Sequence, residues 1–162
     1  MIDIYISMFI RSYKFFLLFF LITSCEKDDV CLEGSANTNR ITIGFINSEN
    51  ESFASLSLKN IRGINKDSII YEDINTDRLK LPLNTASNRT DYVLSYNEIE
   101  DTLSIKHNNI HEYLNRGCGF ISNFILDSTT KDLNNSYGWI KEITIVKDSI
   151  FNEDKTNLYI YF

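Results

Sequence analysis

From Ile41 to the last residue, apolar side chains recur at every second position, and this spacing limits the fold more than any other feature of the chain. Ile41, Ile43 and Phe45 share one parity, as do Leu56 and Leu58, then Leu79, Leu81 and Leu83, and then Tyr92, Leu94 and Tyr96. Leu103 with Ile105, Ile143 with Ile145, and Leu158 with Ile160 and Phe162 continue the series. Successive side chains of a strand point to opposite faces, so such alternation sets one apolar face against a core and the other against water. Ile69-Ile70-Tyr71 and the run from Phe120 to Leu126 are more continuously apolar and read as strands buried on both faces. Between the runs lie Asn47-Ser48-Glu49-Asn50, Asn97-Glu98-Ile99-Glu100-Asp101 and Asn152-Glu153-Asp154-Lys155. Asn and Asp tolerate turn geometry and bond their own backbone, so these clusters read as hairpin connections. The pattern predicts an all-β domain, an antiparallel sandwich or barrel of roughly eight to nine strands. One local departure is Ile110, Tyr113 and Leu114 at i, i+3 and i+4, which predicts a turn or two of helix ahead of Arg116-Gly117-Cys118-Gly119.

The first residues follow a different rule. Arg11 and Lys14 precede eight apolar residues, Phe15 to Ile22, and then Thr23, Ser24 and Cys25. This is the charged, apolar, small-residue order of a secretory signal, and the apolar run is far short of the ~20 residues that span a hydrocarbon core. Ile22-Thr23-Ser24-Cys25 resembles a lipobox, which implies cleavage before Cys25 and acyl chains, palmitate among them, on that cysteine. The resulting division is a signal peptide over residues 1–24, a lipidated tether over 25–40 and a single β-domain over 41–162. Translation starting at Met8 would remove Asp3 and leave the short basic region that a signal prefers. Two or three acyl chains hold a protein stably where one holds it marginally, so the expected membrane contact runs through the anchor on Cys25. Glu26-Lys27-Asp28-Asp29 resembles the tag of Bacteroidota-type lipoproteins exported to the cell surface. The expected location is therefore the outer membrane at the cell surface, with the periplasmic face as the alternative.

Removing the leader takes away Arg11, Lys14 and Asp3, so the 16 basic and 22 acidic residues of the chain become 14 and 21, a net charge of −7. The Lys and Arg residues are scattered singly, and a surface of that sign repels phosphate backbones, which disfavours nucleic acid as a partner. With Cys25 acylated, Cys31 and Cys118 remain; in an oxidising compartment they suggest a disulfide, the alternative being two reduced thiols with one buried. A bridge across 87 positions would contribute about 4 to 5 kcal/mol through the unfolded state. Gly117 and Gly119 around Cys118 let another backbone approach.

Cys25, Cys31 after the acidic run, Leu81-Pro82-Leu83-Asn84-Thr85, Asp101-Thr102-Leu103, Cys118-Gly119-Phe120 and the closing Tyr159-Ile160-Tyr161-Phe162 occur in that order. Together they resemble an uncharacterised family of Bacteroidota lipoproteins of unknown function. The resemblance implies an exported, all-β, lipid-anchored domain and brings no catalytic residue with it.

Sites of chemistry compete with plainer explanations. His107 and His111 are four apart, as on one face of a metal-binding helix, but Asn108-Asn109 is a poor helix centre and the order is not the zinc-protease pattern; they read as solvated loop histidines. Asp73-Ile74-Asn75-Thr76-Asp77 opens like a calcium loop, yet Arg78 stands where glycine is required and Asn84 where glutamate is, so a polar hairpin turn accounts for it. Neither a nucleophile elbow nor a phosphate-cradling glycine motif is present in the sequence. Tyr137-Gly138-Trp139 with Tyr113 could stack on a sugar ring, or fill a sandwich core. Asp67-Ser68, Asp101-Thr102, Asp127-Ser128 and Asp148-Ser149 look like O-glycosylation sites of Bacteroidota and equally like strand starts. The expectation is a non-enzymatic domain without catalytic, cofactor or metal residues, binding a protein or glycan partner at the outer membrane. The contrasting reading is a small hydrolase of the cell envelope.

Overall fold

The computed structural model describes residue 31 and residues 37–64, 68–132 and 138–162. Among these the ordered elements are eleven strands in two sheets, packed face to face as a sandwich. One sheet holds β1 (Ile41–Asn47), β2 (Ser52–Phe53), β5 (Arg78–Leu81), β9 (Glu142–Ile145) and β11 (Leu158–Tyr161). The other holds β3 (Leu56–Gly63), β4 (Ile69–Thr76), β6 (Arg89–Tyr96), β7 (Ile99–Asn115), β8 (Gly119–Asp132) and β10 (Ser149–Ile150), in the order β10-β8-β7-β6-β3-β4. The nine apolar runs of the sequence are β1, β3 to β9 and β11. The two-residue strands β2 and β10 are too short to carry a period.

The alternating residues meet between the sheets. Ile41, Ile43, Phe45, Leu58, Leu79, Leu81, Leu94, Phe124 and Ile160 are completely buried there, with Leu56, Leu103 and Leu158 almost so. Burying one such side chain contributes roughly 1.5 to 3 kcal/mol, so the parity of the sequence is also the main source of stability. Among the described residues all pairings are antiparallel except one: β1 runs parallel to β11, with Ile43 opposite Leu158 and Ile46 opposite Tyr161. The opposite edge of β1 is shared, first by β5 (Ile41 to Leu81) and then by β2 (Ile46 to Phe53). At Asn97-Glu98 both residues have positive φ, 49° and 65°, which gives the two-residue hairpin turn between β6 and β7 a twist that suits its strands.

Three expectations change. Ile69 and Ile70 are 48% and 36% exposed rather than buried on both faces, because β4 is the last strand of its sheet. Ile110, Tyr113 and Leu114 lie in β7, not in a helix; cross-strand bonds to β8 override a three-residue helical spacing. Phe120, counted with a buried run, is 69% exposed.

The last change follows from the length of the β7–β8 hairpin. β6 begins opposite Lys106, and β7 runs on from His107 to Asn115, about 26 Å of strand at the usual rise. This arm turns at Arg116-Gly117-Cys118, where Asn115 Oδ1 accepts the Cys118 N–H at 2.7 Å and Gly119 takes a φ of 71° that other residues rarely adopt. Cys118 is bonded to Cys31 at this turn, with the two Cα atoms 5.0 Å apart. Nearer the sandwich, Thr38 Oγ1 accepts the Ser122 N–H at 3.1 Å and Asn39 Nδ2 donates to Asn123 Oδ1 at 2.8 Å. Thr38 to Arg40, counted with the tether in the sequence, thus bond to the arm and the domain before β1 begins.

Glu153 clamps the start of β1. Its carboxylate accepts Arg40 Nε and Nη2, both at 2.9 Å, the Arg40 backbone N–H at 3.0 Å and Lys80 Nζ at 3.1 Å. Hydrogen bonds from Arg40, assisted by Lys80, hold the Glu153 pKa at about 2 against an ordinary 4.5. A carboxyl with a depressed folded pKa stabilises above its unfolded value and loses that contribution as the pH falls. The melting temperature should therefore drop between pH 4.5 and 2, and Glu153→Gln should make that drop smaller; equal acid dependence in both proteins, followed by circular dichroism, would contradict the clamp.

Candidate ligand-binding site

The residues singled out in the sequence settle mostly into structural tasks. His107 is 1% exposed in β7, not solvated in a loop, because its parity is that of Leu103 and Ile105 and points inward. Asn109 Nδ2 donates to the carbonyls of Asn84, Thr85 and Ser87, which turns Asn109 Oδ1 toward His107 Nδ1 at 2.7 Å. Nδ1 therefore carries the proton, and Nε2 accepts the Thr90 hydroxyl at 2.8 Å, while Thr90 Oγ1 accepts the Asn84 N–H at 2.8 Å. This neutral imidazole fixes the loop from Asn84 to Asn88. His111 is exposed, beside Ser122 Oγ at 3.0 Å. In a strand, residues four apart are separated by about 13 Å, so the two histidines do not share an ion.

Asp73 and Asn75 lie in β4, whose extended backbone cannot wrap a calcium ion. Asp101 is 2% exposed within β7, two residues past its start, and accepts the N–H groups of Thr102 at 2.9 Å and Ile140 at 3.0 Å. Trp139 is 7% exposed, donates Nε1–H to the Leu94 carbonyl and packs on Tyr96, so it belongs to the core. Tyr137, Asp67 and Cys25 lie outside the described residues.

A different aromatic pair is available. Register places Arg78 of β5, Gly44 of β1, Tyr159 of β11 and Thr144 of β9 in one row across the outer face of the first sheet. Gly44 is what makes the row usable: a Cβ there would stand 2.6 Å from Tyr159 Cε1, so only glycine lets the phenol ring lie down over β1. Phe53, 72% exposed, tilts against that ring with centroids 5.4 Å apart. The two rings, with Gly44, Thr156, Asp77 and Arg78, line a concavity of about 230 Å³. It offers aromatic faces beside an exposed cation, a carboxylate and a hydroxyl, a combination suited to a small amphipathic ring with an apolar face and a polar rim.

Parity alone could have pointed to Gly44 and Tyr159, since both interrupt runs of core residues at outward positions. Phe53 carried no such signal in a two-residue strand.

A wider cleft of about 480 Å³ lies at the arm end of the second sheet, between Ile64, Ile70, Leu83, Arg89 and Tyr92. Its polar groups are engaged with one another: Arg89 reaches Asp91 Oδ1 at 2.7 Å and Ser104 Oγ at 3.0 Å, and the Tyr92 hydroxyl donates to the Pro82 carbonyl. These bonds build the wall of the sandwich.

Burial holds the His107 pKa below its ordinary 6.5, against the opposing bond to Asn109. A base with a lowered folded pKa stabilises above 6.5 and loses that contribution as the pH falls below it. Urea unfolding at about pH 7.5 and 5.5 should show wild type losing more stability on acidification than His107→Gln. An equal loss in both would mean that the imidazole does not titrate with unfolding.

Residues 57–162 match the model of a family of unknown function, DUF6452, and the chain belongs to that family. Comparison with curated proteins and with solved structures gives no match.

Proposed function

We propose that this member of the DUF6452 family is an exported, lipid-anchored binding domain that holds a glycan on the Phe53–Tyr159 shelf. The observation that carries the reading is the shelf itself, with two rings on an outer sheet face, a glycine floor and Arg78 and Asp77 at the margin. A pyranose would lay its C–H face on the rings, whose π-clouds are electron-rich, and turn its hydroxyls to the guanidinium and carboxylate, which can each make two hydrogen bonds. Export is supported by the Cys31–Cys118 bond, since disulfides persist in oxidising compartments. The anchor rests on Ile22-Thr23-Ser24-Cys25. His107, the buried base a hydrolase could draw on, has both ring nitrogens engaged in holding the Asn84 loop.

Affinity electrophoresis through gels containing neutral or acidic polysaccharides tests the shelf. Wild type should be retarded by at least one polysaccharide. Phe53→Ala and Tyr159→Ala should each weaken that retardation roughly tenfold, the equivalent of about 1.4 kcal/mol. Phe53→Ala should leave the melting temperature unchanged, because the ring is largely outside the fold. Retardation that ignores both substitutions would remove the shelf from the reading, and no retardation of wild type would remove the glycan.

For the anchor, cells fed a clickable palmitate analogue should label the wild-type protein, and Cys25→Ser should abolish both the label and membrane fractionation. Label retained by the variant would refute the lipobox reading.

A further inference from the structure

The β7–β8 arm carries a sheet face that belongs to the core at its base and to nothing described at its tip. His107, Asn109, His111 and Tyr113 share that face with their partners Leu126, Phe124, Ser122 and Phe120. At the base Phe124 is fully buried and Leu126 nearly so; at the tip Tyr113 is 53% exposed and Phe120 69%. The two tip rings pack together with centroids 5.1 Å apart, so they present one preformed aromatic surface. Arg116 is exposed at the turn beside them. Large exposed aromatic surface on a protruding hairpin calls for an occupant, and the covalent connection indicates which one.

Cys118 at the turn is bonded to Cys31, and Cys31 is six residues from Cys25. Six residues span at most about 20 Å, so a lipid on Cys25 keeps the tip within that distance of the bilayer. The far end of the sandwich is turned away. β1 leaves the arm side after Thr38 and Asn39 bond to Ser122 and Asn123, and ends at Asn47, next to β2 and Phe53.

We infer that Tyr113 and Phe120 seat the tip of the arm in the interfacial zone of the membrane that carries the anchor. This inference rests on the lipid-anchor reading of the preceding section. Aromatic rings favour the headgroup level of a bilayer, where an apolar body and a polar edge are both accommodated, and an arginine can extend from there to water. Glu26, Lys27, Asp28 and Asp29 give the connecting residues a net charge of −2, which anionic headgroups repel. The contact is therefore aromatic rather than electrostatic, and a zwitterionic surface suffices for it. The domain would then stand on its arm, held by the acyl chains and by the two rings, with the shelf side directed outward.

The test uses the full lipid-modified protein in phosphatidylcholine vesicles whose acyl chains are brominated near the headgroup. Phe120→Trp and Tyr113→Trp each place a reporter at the tip, and Phe53→Trp places one at the far end. Trp139 is buried and contributes a constant that the wild-type spectrum removes. Emission from both tip reporters should shift to the blue and be quenched by the brominated lipid, and emission from Phe53→Trp should do neither. If the protein is acylated and floats with the vesicles while tip emission ignores the bromine, the tip contact is refuted and the anchor stands. Equal quenching at Phe53→Trp and Phe120→Trp also refutes it. Tip emission that is protected from aqueous acrylamide without vesicles, and that depends on protein concentration, would assign the rings to a second copy of the chain instead. A protein without acyl mass that stays in the aqueous fraction overturns the anchor and the tip contact together.

Discussion

The parallel pairing of β1 with β11 is the constraint on which the rest of the sandwich depends. It joins residues 43–46 to residues 158–161, so the first sheet closes only when both ends of the domain have met. β1 is buried along nearly its whole length, with Ile43 and Phe45 against the second sheet and Thr42 and Gly44 beneath the returning chain. Asn157, just ahead of β11, closes the junction. Its backbone N–H donates to the Thr42 carbonyl at 2.8 Å, its side-chain oxygen accepts the Thr42 N–H at 3.0 Å, and its amide reaches the Lys147 and Ser149 carbonyls. Losing that one side chain would strand a buried N–H, which costs about 1 to 3 kcal/mol. The second sheet is by contrast mostly a succession of hairpins, whose local contacts form at a smaller entropic cost than one spanning more than a hundred residues.

A long-range closure of this kind explains which features could be read from the sequence. Alternation marked seven strands and continuous apolar runs two more, because half-buried strands must alternate, and the residues that alternation named as one face meet in the core. Parity says nothing about direction, so the parallel pair stayed hidden among expected hairpins. It also says nothing about where a face ends. His107, Tyr113 and Phe120 share one side of the same hairpin, yet one is buried and two are exposed, because the opposite sheet covers only the base of the arm. The histidine looked like a loop residue because Asn108-Asn109 after it is a poor helix centre, while Asn109 in fact reaches across to bond the carbonyls of the Asn84 loop.

The aromatic residues show the limit most clearly. Trp139 drew attention as the single tryptophan, and the fold uses it as filling beside Tyr96 and Leu94. Phe53 and Tyr159 form the exposed shelf, and although parity turns Tyr159 outward between Leu158 and Ile160, nothing near Phe53 distinguishes it from a core residue. Their pairing depends on β2 and β11 flanking β1 from opposite edges, with a glycine between, and the strands concerned are separated by more than a hundred residues. A site assembled across three strands becomes visible only after the register is known.

The disulfide ties these observations into one mechanical arrangement. A hairpin arm with no described strand beyond it along most of its length is a poor lever, since isolated two-stranded ribbons are marginally stable in water. Here the incoming chain supports it at two levels, through Thr38 and Asn39 near the base and through Cys31 at the turn. The supporting segment then becomes β1, the most deeply buried strand of the first sheet. A load applied at the turn is therefore carried along two routes, the β7–β8 ladder into the second sheet and residues 31–41 into the first. Both sheets are held from one end, and the Phe53 side of the shelf lies toward the other. On the proposed reading, that separation would let a glycan on the shelf engage the domain without competing with the anchor at its base.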